Sequence, residues 1–138
     1  MRRLRVENLQ KLFERYVYCG MTRDAAALAD MFTPDGVLEA PLVPEGHPFP
    51  RRLAGRDAIR TGLAEYYARP AGPDRKVDVS KSSYTLHVTS DPDVFITEID
   101  TAYDVDGATV FMSLAQIFRL RDGKIALMRD YFAPEHAD

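Results

Sequence analysis

Apolar positions change period along this chain, from helical spacing in the first half to alternation in the second. Leu9, Leu12, Phe13, Tyr16 and Val17 follow the i, i+3, i+4, i+7, i+8 stripe of an amphipathic helix over residues 4–19. Gly20 is expected to stop it. Thr22 suits an N-cap for a second helix, with Asp24 in the first turn and Ala25, Leu28, Ala29 and Phe32 on one face. Thr33-Pro34-Asp35-Gly36 reads as a turn, and Val37 to Ala40 as a short strand ended by Pro41. Between Pro41 and Pro50, four prolines, one glycine and His47 predict a long surface loop. Gly55-Arg56-Asp57 opens a third helix to about Ala68, with Ile59, Leu63 and either Tyr66 or Tyr67 inward. Pro70 to Pro73 should break it. Arg75 to Val88 then predicts one long polar strand, turned by Ser90-Asp91-Pro92-Asp93.

From Val94 to Phe132 the pattern is that of three strands joined at Asp106-Gly107 and at Arg121-Asp122-Gly123-Lys124. A two-residue turn at Asp106-Gly107 pairs Val105 with Ala108, Tyr103 with Val110, Ile99 with Leu114 and Thr97 with Gln116. Phe95, Thr97, Ile99, Thr101 and Tyr103 then share a face with Val110, Met112, Leu114, Gln116, Phe118 and Leu120, while Glu98, Asp100 and Asp104 point to solvent. The second turn admits two readings. A three-residue loop with Gly123 in the left-handed position pairs Leu120 with Lys124 and puts Ala126, Met128, Asp130 and Phe132 on the face of Gln116. A two-residue turn sends Asp130 outward. The position of Gly123 favours the first, with Asp130 diagonal to Gln116 on a mainly apolar face.

Helices followed by a run of strands predict an α+β layer fold. The 138 residues suit one domain with a real core. A net charge of −3 gives no electrostatic footprint for nucleic acid. The single cysteine, Cys19, excludes an internal disulfide and a cysteine-based metal site and fits a reducing cytoplasm. No apolar run reaches the roughly 20 residues of a membrane span. The Met1-Arg-Arg-Leu-Arg opening lacks the apolar segment of a signal peptide and reads as a helix lead-in.

The segments ALADMFTPDGVLEAP, AGRDAI, DPDVFITEID and FRLRDGKIALMRDYF occur in an order and spacing that resembles the NTF2-like superfamily over nearly the whole chain. Within it the chain looks most like the SnoaL-like polyketide cyclases and the phenazine-biosynthesis A/B proteins. The resemblance implies a cone-shaped, curved mixed or antiparallel sheet wrapped over three helices, a barrel with a pocket on its concave face. Likeness to ketosteroid isomerase places that family's oxyanion-hole tyrosine on Tyr16, its base on Ala40 and its protonated aspartate on Gln116. The base is therefore missing at Ala40, and an isomerase of that design is not expected. In the cyclases and phenazine proteins the acid/base carboxylate sits on the last strand, which matches Asp130. There the phenazine site looks like a glutamate, which leaves the exact chemistry open.

Each candidate has a plainer reading beside the chemical one. Asp130 is either a desolvated acid/base or the partner of a nearby arginine. Tyr16 is either an oxyanion donor or a core tyrosine with a satisfied hydroxyl. A buried amide at Gln116 needs partners, and it is expected, with Tyr16, to hold the enolate oxygen while Asp130 takes the proton beside the carbonyl. His47 either lines the mouth as a second base or is a solvated loop histidine. Arg51, Arg52, Arg56 and Arg60 either attract an anionic substrate or form a solvated helix start. Glu39 is the reserve carboxylate. His87 and His136 show no ligand spacing with His47, so no metal is expected. With no dinucleotide fingerprint, no cofactor is expected either. Phe13, Tyr16, Phe32, Tyr66, Met112, Gln116, Phe118, Met128 and Asp130 are expected to line one cavity. The expectation is a cofactor-independent cyclase, isomerase or dehydratase for a small apolar carbonyl metabolite in secondary metabolism. The competing class is a non-catalytic binder on the same fold. Phe111, Ala115, Ile117, Ile125 and Leu127 on the opposite face predict a homodimer through the sheet.

Overall fold

The computed structural model describes residues 2–69 and 76–136. The first helix, α1, spans Arg2–Met21 and runs past Gly20. Gly20 stays helical, and a Cβ there would meet the Tyr67 hydroxyl at 4.0 Å, an ordinary contact. Helix α2 is short, Ala25–Ala29, and Asp24 caps it by accepting a hydrogen bond from the Ala27 amide. Thr22 is not the cap. Its hydroxyl donates to the carbonyls of Tyr18 and Cys19 and finishes α1 instead. Helix α3, Arg56–Ala68, buries Ile59 and Leu63 as its periodicity requires. The proline break expected at Pro70 to Pro73 lies outside the described residues.

Among the described residues, seven strands form one mixed sheet: β1 (Phe32–Glu39), β2 (Arg52–Ala54), β3 (Lys76–Val77), β4 (Ser83–Val88), β5 (Val94–Val105), β6 (Ala108–Arg121) and β7 (Lys124–Tyr131). Their order is β2-β1-β7-β6-β5-β3, and β4 pairs β5 beside β3. The sheet is open, so the expected barrel does not close. Strand β1 runs parallel to β7, and the other pairs are antiparallel. Thr33-Pro34-Asp35-Gly36 lies inside β1 as an arch between Phe32, paired with Ile125, and Val37, paired with Leu127. The single polar strand expected from Arg75 to Val88 is broken into β3 and β4. Asp78 starts a short 3-10 turn by accepting from the Ser80 amide. Strand β2 follows the proline loop that ends at Pro50 and was not anticipated from the sequence.

The β5–β6 hairpin has the register read from the sequence, from Val105 opposite Ala108 to Thr97 opposite Gln116. Asp106 and Gly107 have φ of 50° and 81°, as a tight primed turn demands. The second hairpin differs from expectation. Arg121 pairs with Lys124, so the turn has two residues, with Asp122 and Gly123 at φ of 53° and 79°. The extra residue enters the strand instead. Leu120 faces Ile125 and Arg119 faces Leu127, which leaves Ala126 as a bulge. That bulge restores Met128 and Asp130 to the inner face. The two-residue turn pairs Ile125 with Leu120 and so turns Ile125 inward, where it is fully buried; Ile125 is therefore not on the outer face where it was expected.

The core lies between the helices and this inner face. Phe118 and Phe95 stack at 4.7 Å, and Phe13 and Tyr16 of α1 meet Phe118 edge-on at 5.9 and 5.3 Å. Complete burial of a ring such as Phe118 contributes about 1.5–3 kcal/mol. The α1 stripe therefore holds the helix against the strand that carries Gln116.

Candidate active site

The same packing leaves a cavity of about 560 Å³ between α1, α3 and the concave sheet. Phe13, Tyr16, Met112, Gln116 and Asp130 line it, as expected. Phe32, Phe118 and Met128 do not: all three are buried in the core beneath its wall. Side chains that large and apolar fill the space between layers before any remains for a ligand. Tyr66 also stands apart, packed edge-on against Phe49 at 4.9 Å, and Tyr67 takes the lining position. Both tyrosines fit the α3 stripe begun by Ile59 and Leu63, so periodicity alone could not choose between them.

Asp130 sits directly opposite Gln116, and Gln116 directly opposite Thr97. The expected diagonal placement is thus replaced by a straight polar row across β7, β6 and β5. The Oδ1 of Asp130, the Oε1 of Gln116 and the Oγ1 of Thr97 are buried without a hydrogen-bond partner. Orphaned buried oxygens are costly, and they are rare unless a ligand or a proton transfer uses them. Burial lifts the Asp130 carboxyl from 3.8 to about 7, against the opposing hydrogen bond from the Gln116 side chain. Among the described residues, no arginine pairs with it. Arg129 turns to the other face and meets Glu39 at 3.4 Å.

Tyr16 is 7% exposed, and its hydroxyl is held well above the usual tyrosine range, first by burial and then by the nearby Asp130 charge. Tyr67 is pushed up to about 12, mainly by burial, and Asp130 contributes there too. Both hydroxyls therefore stay protonated, as donors, in the field of one carboxylate. Arg23 lies over the Tyr67 ring, 5.7 Å from its centroid, and fixes that ring from outside.

His47 does not reach the cavity. Its Nδ1 accepts from the Phe49 amide at 3.0 Å and its Nε2 lies 3.1 Å from the Pro134 carbonyl oxygen, so it ties the proline loop to the chain after β7. The residue does position one lining side chain, Phe49. Glu39 faces out, bridged to Arg52 and Arg129. The arginines near α3 are engaged away from the cavity: Arg56 donates to the Phe32 carbonyl, and Arg60 meets Asp30 and Asp57. His87 pairs with Glu98 on the outer face, and the His136 side chain lies outside the described ones. Among the described residues, no helix is long and apolar enough to cross a membrane. Sequence reasoning left Tyr66 and Tyr67 as alternatives and missed Glu14 and Tyr84. Alternation of Tyr84 with Leu86, opposite Ile99 and Thr97, was the available signal for Tyr84; Glu14 lies outside the apolar stripe of α1 and carried no such signal.

Comparison with known proteins fits this arrangement. A SnoaL-like domain model matches residues 13–128. An uncharacterized PhzA/B-like protein of Pseudomonas aeruginosa is 32% identical over 113 residues, covering 80% of this chain and 74% of that protein. A candidate isomerase of Bacillus subtilis superposes with a TM-score of 0.72 at 22% identity, covering 95% of this chain and 90% of the other. A candidate polyketide cyclase of Xanthomonas campestris pv. campestris gives 0.62 at 16% identity, covering 94% and 93%. The two structures share the fold, and the sequence match adds the family. This chain belongs to the SnoaL-like family of NTF2-like α+β domains.

Proposed function

We propose that this protein is a cofactor-independent acid/base enzyme acting on a small, largely apolar carbonyl compound, with Asp130 as the base. The observation that carries the reading is Asp130 itself: a carboxyl raised to about 7, with Oδ1 unpartnered, facing an apolar cavity. A base poised near neutrality both holds the right protonation state and accepts a proton readily. Asp130 takes a proton from the carbon beside the substrate carbonyl. The Tyr16 hydroxyl donates to the oxygen on which charge develops, and the Gln116 amide keeps the carboxylate oriented. The proton returned from Asp130 to another atom completes an isomerisation or a cyclisation of the aldol type, and its delivery to a leaving hydroxyl completes a dehydration. Secondary metabolism and the cytoplasm, where the lone buried Cys19 stays reduced, are the setting this reading favours.

Replacing Asp130 by Asn keeps size and shape but removes the base. Turnover of a carbonyl substrate is expected to fall by roughly 10²–10⁴-fold with ligand affinity little changed. Tyr16→Phe is expected to lower turnover by about 10²–10³-fold. Full activity in Asp130→Asn would exclude the mechanism. The outer sheet face also supports a homodimer: Phe111 is 55% exposed there, with Ala115, Ile117 and Leu127 half-buried beside it. Light scattering at micromolar protein should give twice the chain mass, and a monomer mass would remove that assignment.

A further inference from the structure

A second polar pair lies at the other side of the cavity. The Tyr84 hydroxyl donates to Glu14 Oε2 at 2.7 Å, and both residues line the wall. Tyr84 stands on β4 and Asp130 on β7, three strand spacings apart, about 14 Å at the usual interval. Phe13, Ile99 and Leu114 line the apolar wall along with them. The Phe13 ring packs on the Tyr84 ring at 4.7 Å, so the pair is held from two sides. With Oε2 occupied by Tyr84, Glu14 keeps its other oxygen for a further donor.

The charges of the lining point the same way. Among the described residues, Glu14 and Asp130 line the cavity and no Lys, Arg or His does. Several basic side chains are held elsewhere: Arg52 and Arg129 on Glu39, Arg60 on Asp30 and Asp57, Lys81 on Asp78 and Arg121 on Asp35, while Arg23 lies over the outer face of the Tyr67 ring. Glu14 stands at the solvent-facing side of the cavity and Asp130 at its buried side, so an anionic ligand would meet an acid at each end with no basic side chain of the lining as counter-charge.

We propose that Glu14 and Tyr84 form a second subsite, which takes a hydroxyl or ammonium donor at the end of the substrate remote from its carbonyl. The ligand is therefore an elongated neutral or cationic carbonyl compound, and carboxylates and phosphates are rejected. The carbonyl end of this assignment rests on the function proposed for Asp130; the donor end does not.

Four rigid probes of suitable length separate the two: 4-phenylcyclohexanone and its para-hydroxymethyl, para-aminomethyl and para-carboxyl derivatives. Binding is measured by isothermal titration calorimetry to the intact protein and to Glu14→Gln, Tyr84→Phe and Asp130→Asn. The hydroxymethyl and aminomethyl probes are expected to bind the native protein at least about 10-fold tighter than the carboxyl probe. Glu14→Gln should erase most of the aminomethyl preference, Tyr84→Phe should weaken it, and Asp130→Asn should leave the ranking intact. Equal binding of the carboxyl probe, an unchanged ranking in Glu14→Gln, or no binding of any probe overturns the subsite. If the ranking holds but no turnover of any ketone is found, the acid/base reading falls and the subsite stands. If turnover is found without the ranking, the subsite alone falls.

Discussion

The hairpins closed by Asp106-Gly107 and Asp122-Gly123 use the same turn chemistry, with positive φ at both central residues of each. The strands leaving them behave differently. The β5–β6 ladder runs without interruption over its whole length, and side chains keep the face their spacing assigns. The β6–β7 ladder breaks after two turn-proximal pairs, at Ala126. Without that bulge a two-residue turn would set Gln116 opposite Arg129 and turn Asp130 to solvent. The first hairpin is thus a wall, and the second is the device that carries an acid into the interior. The bulge is matched by its neighbour. Strand β1 arches over Thr33–Gly36 at the same level, and the Ile125 amide donates to the Met31 carbonyl at 2.9 Å.

The largest expected effect tests whether the bulge does desolvate Asp130. Its carboxyl is near 3.8 when exposed and about 7 in the fold, so the folded state holds the proton more tightly. Stability from this group is fully present below pH 4 and is lost as pH rises to about 7, by on the order of 4 kcal/mol. Activity should run in the opposite direction and rise through pH 7, because the base acts ionised. Urea denaturation across this range should show the fall in the native protein. It should be absent in Asp130→Asn, which should be equally or more stable above pH 7. A flat native profile would mean that Asp130 is solvated and that the two hairpins do not differ in kind.

A smaller effect separates the arch from the free turn. An Ala side chain at Gly36 would place its Cβ 2.9 Å from the Ile125 carbonyl oxygen and 3.0 Å from Phe32 Cβ. Backbone cannot give way as a flexible side chain does, so Gly36→Ala should destabilise by roughly 1–3 kcal/mol. Gly107 and Gly123 have open space around them, and Ala there meets only the positive φ, about 1 kcal/mol. Thermal melts of the three variants should rank Gly36→Ala as the most damaging. Equal melting temperatures would show that the arch and bulge are no tighter than an exposed hairpin tip.

Much of this was legible before the fold was seen, for reasons that are local. The α1 stripe of Leu9, Phe13 and Tyr16, the start of α3 at Gly55-Arg56-Asp57 and the β5–β6 register each depend on residues close in sequence or joined by one tight turn. The inward side of Asp130 was also anticipated, though by a different geometry: a three-residue loop and a two-residue turn followed by a bulge give the same parity. The errors fall where distant segments compete for space. Thr22 lost the α2 cap to Asp24, one more turn of α1 having used the Thr22 hydroxyl. His47 was drawn to the Pro134 carbonyl rather than to the cavity.

The sequence by itself determined the α+β order, the helix faces and the set of polar side chains on the concave strands, because periods of 3.6 and 2 act within single elements. Only the tertiary structure decided which of those side chains meet a ligand. Phe32, Phe118 and Met128 became core and Tyr67 displaced Tyr66 because layers must fill to close packing, which depends on the shapes of all the elements together. The straight row of Thr97, Gln116 and Asp130 likewise needed the pairing of three strands, and the bulge at Ala126 is set where β7 must also accommodate the arch of β1.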